Sequence, residues 1–361
     1  MPRPIPTLRA LARTALLLLI PLATTGAAAQ QVTLITHESF ALPDDLVSAF
    51  EEEHGLELRL LTGGDAGAMV NRALLTSGRP VADALFGIDD ALIAREGASE
   101  LFEPYLADGI DGVPDDLRFA GERLTPVTVG YVNFNLHLDG LRERGLPVPR
   151  DIAELAEPPF EGATVVSDPA TSSPGLAFLL TTVARFGEGG AYDWLDYWAD
   201  LREADVRVTS GWSDAYYTAF SRYGGDRPIV LSYATSPAAE VIFAEEELDA
   251  SPTANLLCER CSWRQIEAAG VLAGTGRPDA ARDVVDFLLS PEVQEAVPTS
   301  MFVYPARQGV TLPEAFDRFA VRPTAEQTAT LDAERIEARQ ARWLEQWTQV
   351  VRQGRDPDAV R

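Results

Sequence analysis

QVTLITHESFALPDDLVSAFEEEHGLELRLLTGGDAGAMVNRALLTSGRPVADALF, residues 31–86, holds the pattern that decides the fold. Gln31 to Thr36 is rich in β-branched residues and reads as a strand, and Pro43 to His54 reads as a helix with Leu46, Val47 and Phe50 on one face. Leu56 to Leu61 alternates as a strand does, Ala66 to Gly78 is helical, and Ala82 to Phe86 is a strand before the acidic turn Ile88-Asp89-Asp90. Strands alternating with helices at this spacing predict a parallel sheet covered by helices, an α/β architecture.

The same grammar recurs downstream. A long strand-like segment from Leu124 to Leu136 leads into a second series. Its helices fit Gly175 to Phe186, Ala191 to Glu203 and Ser213 to Tyr223, and its strands fit Val165, Val206 to Thr209 and Ile229 to Tyr233. A strand over Gln265 to Leu272, the helix Pro278 to Leu289 and a further helix after Ser290-Pro291 follow, and the tail repeats Ile336, Trp343, Leu344, Trp347, Val350 and Val351 at helical spacing, as a packing helix does. The divisions are a leader over 1–29, a first lobe over 30–124, a second lobe over 125–264, and a return to the first lobe with the C-terminal helix over 265–361. Two lobes joined by extended strands place a ligand cleft between them, where strand C-termini meet helix N-termini.

Residues 1–29 carry Arg3, Arg9 and Arg13, then the apolar run Ala15 to Ala23, then Ala27-Ala28-Ala29. This is the plan of a cleaved secretory signal peptide, too short to span a bilayer. No cysteine follows the apolar run to carry a lipid, so the expected mature chain is free in the periplasm. Removing the leader takes the net charge from −25 to about −28, which argues against nucleic acid and anionic membrane surfaces as partners. All positive charge is arginine, because the sequence contains no lysine. Schiff-base chemistry and Walker-type phosphate loops are thereby excluded. Cys258 and Cys261, the two cysteines, are expected to form a small local disulfide in an exported chain. His37, His54 and His137 are scattered singly, so neither a metal site nor a hydrolase triad is indicated. Acidic pairs such as Glu51-Glu52 and Asp89-Asp90 read as solvated surface in a chain with 55 acids. Nothing here supports an enzyme or a resident cofactor.

Binding has more to stand on. Ser167-Asp168-Pro169-Ala170-Thr171-Ser172-Ser173-Pro174-Gly175 runs from a short strand into an apolar helix, and its hydroxyls and first-turn N–H groups read as an oxyanion cradle or as a plain helix cap. Ser210-Gly211-Trp212-Ser213 puts an indole at a strand-to-helix junction. Tyr233-Ala234-Thr235-Ser236-Pro237 ends an apolar strand in hydroxyls, and Asp65 stands at a strand end in the first lobe. Polar turns, an aromatic and a carboxylate at equivalent strand ends describe a cleft for something aromatic, cationic at one end and oxyanionic at the other.

Taken in order, D-P-x-T-S-x-P-G-L, G-W-S-x-A-Y and L-S-Y-x-T-S-P resemble the motifs of the periplasmic thiamine-binding proteins of ABC importers, within the wider group that includes ferric-iron-binding proteins. The likeness runs from Leu34 to Phe40, through Asn71-Arg72, to Val297-Pro298-Thr299 and Tyr304-Pro305. It implies a two-lobed type II periplasmic-binding fold, monomeric, that closes on thiamine, thiamine phosphate or thiamine diphosphate and delivers it to a membrane permease. By matching position, it places Asp65 and Ala66 against thiamine, Ser172 and Ser173 at its hydroxyethyl or phosphate end, Trp212 on a ring, and Tyr233, Ala234, Thr235 and Ser236 along the cleft. His37 stands where those relatives have a tyrosine, Ala239 where they often have an aromatic residue, and Trp263 is a candidate for the missing ring. The alternative is ferric iron or another oxyanionic solute in the same fold, with Tyr216-Tyr217 and His37-Glu38 as the ligand set.

Overall fold

The computed structural model describes residues 30–361, so the expected signal segment lies outside the described residues. The strands are β1 (Gln30–Thr36), β2 (Leu56–Thr62), β3 (Ala84–Asp89), β4 (Thr125–His137), β5 (Thr164–Ser167), β6 (Arg207–Thr209), β7 (Ile229–Tyr233), β8 (Thr253–Leu256), β9 (Ser262–Val271), β10 (Tyr304–Pro305) and β11 (Thr328–Ala329). The helices are α1 (Asp44–His54), α2 (Ala66–Leu75), α3 (Leu138–Glu143), α4 (Ser173–Phe186), α5 (Trp194–Glu203), the single turn α6 (Trp212–Asp214), α7 (Ser236–Ile242), α8 (Pro278–Leu289), α9 (Pro291–Ser300), α10 (Glu314–Phe319) and α11 (Ala333–Trp347).

One curled sheet runs in the order β2-β1-β3-β9-β4-β7-β5-β6. β1 pairs in parallel with β2 and β3, and β5 pairs in parallel with β6 and β7. Between these two parallel sets run β4 and β9, antiparallel to each other, β9 also to β3 and β4 also to β7. This is the α/β type II arrangement: two mainly parallel halves connected through extended crossing strands.

Local departures have physical causes. β3 runs on through Ile88 and Asp89, which the sequence places in a turn, because a bulge at Gly87 shifts the register there. Gly87 has φ 101°, and a Cβ on it would stand 2.4 Å from the His37 ring, so glycine is what lets His37 lie against the strand. The helix expected over Ser213 to Tyr223 is broken into α6, a π-helical turn Ala215–Ala219 and a 3-10 turn Ser221–Tyr223. At the end of that segment Gly225 lies so close to the Ala219 carbonyl that a side chain would collide with it. A π turn of this kind re-aims side chains next to functional sites.

Asp89, expected on a solvated surface, is 1% exposed and accepts from the N–H groups of Ala91 (2.9 Å) and Leu92 (2.6 Å). Cys258 and Cys261, expected as a disulfide, stand side by side as unbonded cysteines in the structure. The Cys258 N–H donates to Cys261 Sγ at 2.6 Å across a turn whose Arg260 has φ 48°, and the two thiols lie against each other. The tail packs as its periodicity predicts. Ile336, Trp343 and Trp347 are buried, Trp347 meets Trp198 of α5 edge-on with ring centroids 5.6 Å apart, and Gln340 donates to the Ala91 carbonyl at 2.8 Å. α11 therefore touches both halves. Among the described residues no helix is long and apolar enough to cross a membrane.

Candidate functional site

A cavity of about 290 Å³ opens where the two halves meet. The first half contributes the turn after β1 (His37, Glu38, Ser39) and the start of α2 (Asp65, Ala66). The second half contributes Ser173 and Pro174 at the start of α4, the broken helix after β6, and the strand-to-helix junction from Tyr233 into α7. Glu267 of β9 and the segment 300–303 complete it.

Asp65 joins the halves. It is the N-cap of α2, accepting from the Ala66 N–H at 2.6 Å, and its second oxygen accepts from the Trp212 N–H at 2.7 Å. Burial raises its pKa above the ordinary 3.8, against the lowering by those two N–H groups and by His37. Beside it, the Ala68 N–H donates to the Thr171 carbonyl at 2.9 Å. Gly67 is needed at this approach, since a Cβ there would lie 2.6 Å from the Thr171 backbone. Arg95 straps the contact by donating to the carbonyl of Gly67 (2.9 Å) and, in the other half, that of Ala170 (3.1 Å).

The facing wall is aromatic. Trp212 stacks on Tyr216 (ring centroids 5.0 Å, 21° between planes), with Tyr217 edge-on at 5.5 Å and Tyr233 at 6.3 Å. The Trp212 indole N–H donates to Ser232 Oγ at 2.8 Å, which lies 2.9 Å from Ser236 Oγ. Behind this wall Glu240, 3% exposed, accepts from the hydroxyls of Tyr216 (2.7 Å) and Tyr223 (2.9 Å) and from Arg222 Nε (3.0 Å). Glu267 accepts from Thr128 Oγ1 at 2.7 Å and has its other oxygen 3.5 Å from His37 Nε2. Glu38, Asp65, Glu240 and Glu267 line the cavity, and among the described residues no arginine does. An electron-rich aromatic wall opposite carboxylates suits an aromatic cation.

Of the residues the sequence singles out, His37, Asp65, Ala66, Ser173, Trp212, Tyr233 and Ser236 line the cavity. Ser172, Ala234 and Thr235 do not. All three are fully buried, Ser172 beside the Asp65 carboxylate, the Thr235 hydroxyl without a partner, and Ala234 tied by its N–H to the Tyr131 carbonyl at 2.8 Å. The oxyanion cradle is corrected too. Ser172 occupies the N-cap of α4 without a side-chain cap bond, and the Ser173 hydroxyl is held by the Asp89 carboxylate. An acid already faces that helix end. Trp263 does not supply a ring; it lines a different cavity, with Tyr131 and Arg264.

Sequence reasoning missed Tyr223, Glu240, Phe243, Glu267 and Phe302. Phe243 had a legible signal, lying one helical turn beyond Ala239 on the same face, and it meets Phe302 at 4.3 Å across the cavity mouth. Of the Tyr216-Tyr217 pair, Tyr216 is buried with its hydroxyl donating to Glu240 at 2.7 Å, and burial, then the Glu240 charge, raises its pKa, while Tyr217 is exposed at the rim.

Comparison with known proteins agrees with this geometry. Residues 80–331 match the family described as bacterial extracellular solute-binding protein. The chain is 30% identical over 326 residues to the thiamine-binding periplasmic protein of Escherichia coli strain K12, covering 89% of this chain and 93% of that one. Among solved structures, a periplasmic thiamin binding protein superposes with a TM-score of 0.77 at 28% identity, over 89% of this chain and 96% of the other. Iron-bound HitA from Pseudomonas aeruginosa superposes with a TM-score of 0.68 over 89% of this chain and 99% of its own, and at 18% identity it shares the fold alone. By the extent of these matches and the cleft they surround, the chain belongs to the bacterial extracellular solute-binding proteins, which bind and do not catalyse.

Proposed function

We propose that the interlobe cleft captures thiamine, and also thiamine mono- and diphosphate, in the periplasm and hands it to the permease of an ABC importer. The observation that carries this reading is the stacked Trp212–Tyr216 wall facing Asp65, Glu38 and Glu267, a site for a flat aromatic cation. The names of the relatives support the same solute. Native mass spectrometry of protein purified without refolding identifies the bound solute. Calorimetry with the three vitamers is expected to give one site per chain without turnover. No heat with any vitamer would overturn the reading.

Because no arginine lines the cavity among the described residues, the phosphates project through the open end into solvent, where charges are screened. The three vitamers are therefore expected to bind within about tenfold of one another, roughly 1.4 kcal/mol. Ser173→Ala is expected to change all three affinities by the same factor, and a selective loss of the diphosphate would restore the oxyanion cradle.

A further inference from the structure

Behind the crossing strands lies a cavity of about 310 Å³ that shares no lining residue with the aromatic cleft. Its walls bring together Arg264 of β9, Tyr131 of β4, and Arg307 and Arg322 of the return segment. Tyr131 and Arg264 are register partners on adjacent strands. Arg264 is held by Asp116, at 2.8 Å. The other two guanidiniums lack an acid: among the described residues no carboxylate lies within ion-pair distance of Arg307 or Arg322. Arg307 lies against Gly109 and Gly112, and its guanidinium donates to the Leu289 carbonyl at 3.4 Å. Arg322 lies 3.7 Å over the Tyr304 ring.

An adjoining cavity of about 410 Å³ shares Tyr131 and Arg264 with it and is also lined by Trp263. Trp263 is 5% exposed, and its indole N–H is buried with no acceptor. Two guanidiniums without a carboxylate partner and a third paired with Asp116 line one cavity. Planar guanidinium forks match phosphate oxygens in pairs.

We propose that this hinge-side pocket is a second binding site, for a small phosphate-class oxyanion, held chiefly by Arg307 and Arg322 with Arg264 beside them. The anion there ties β4, β9 and the return segment together.

The test is calorimetry of the full chain with inorganic pyrophosphate and with inorganic phosphate, joined to hydrogen exchange with pyrophosphate present. One site is expected, its affinity falling steeply with added salt, at least about tenfold weaker in Arg307→Gln or Arg322→Gln and lost in the double variant. Arg→Lys changes keep the charge without the fork and are expected to restore part of the affinity. Protection is expected at 105–118, 262–266 and 304–322. Pyrophosphate that fails to bind, that binds the double variant as it binds the parent at the same melting temperature, or that protects only 65–68 and 210–217, would overturn the site. The last result would put the anion in the aromatic cleft. If the glutamine variants melt early, loss of affinity in the folded lysine variants relative to the parent decides instead, and unchanged affinity there overturns it.

Discussion

Asp65→Asn is expected to weaken thiamine binding by about 10- to 100-fold, since it removes a charge-assisted acceptor worth about 1.5–3 kcal/mol and one of the carboxylates facing the cation. The fold should survive. Asparagine caps helices as well as aspartate does, so the start of α2 keeps its acceptor for Ala66. The native pKa of Asp65 is raised, so the folded chain holds this proton more readily than the unfolded one. Its contribution to stability is therefore present at low pH and lost as pH rises through the raised pKa. Binding runs the other way: a cation favours the carboxylate, so affinity falls as pH drops through that raised pKa, and binding there releases a proton. Calorimetry in buffers of different ionisation enthalpy measures the proton directly. Unchanged affinity in Asp65→Asn, with no proton release, would remove Asp65 from the site.

Trp212→Ala is expected to weaken binding at least about tenfold, the loss of stacking and cation–π attraction of about 1–2 kcal/mol in a closed cleft. Its effect on stability should be modest, because Trp212 is half-buried and its partners are Tyr216 and the Ser232 hydroxyl. The fully buried Trp198 is the contrast. Trp198→Ala leaves a cavity between α4, α5 and α11 and should cost about 3–5 kcal/mol. If Trp212→Ala melts as early as Trp198→Ala while binding thiamine normally, the indole is packing and the binding surface lies at Tyr217, Tyr233 or Phe243.

The fold was legible where two periodicities alternate, as over 31–86, and where a long β-branched and aromatic stretch such as 125–136 reads as an extended strand. β8 was not. Thr253–Leu256 is four residues of mixed polarity, and its extended form comes from pairing with β4. Motif order placed the cleft, but neighbouring hydroxyls could not be told apart, since whether Ser172 or Ser173 faces the cavity depends on how α4 meets Asp89. Glu240 and Glu267 were hidden for another reason. Among 55 acids nothing local marks those that become buried; their partners, Tyr216, Tyr223 and Thr128, come from other elements.

The strap across the mouth of α2 also governs time. Trp212 N–H to Asp65, Ala68 N–H to Thr171 and Arg95 to Ala170 all join one half to the other, close to where the solute would sit. Where release of a captured solute requires the halves to separate, these bonds must part first, and its residence then follows the rate of domain opening. Loosening the strap at a residue outside the cavity, as in Arg95→Gln, should shorten that residence for every solute the cleft accepts, and by the same factor for each.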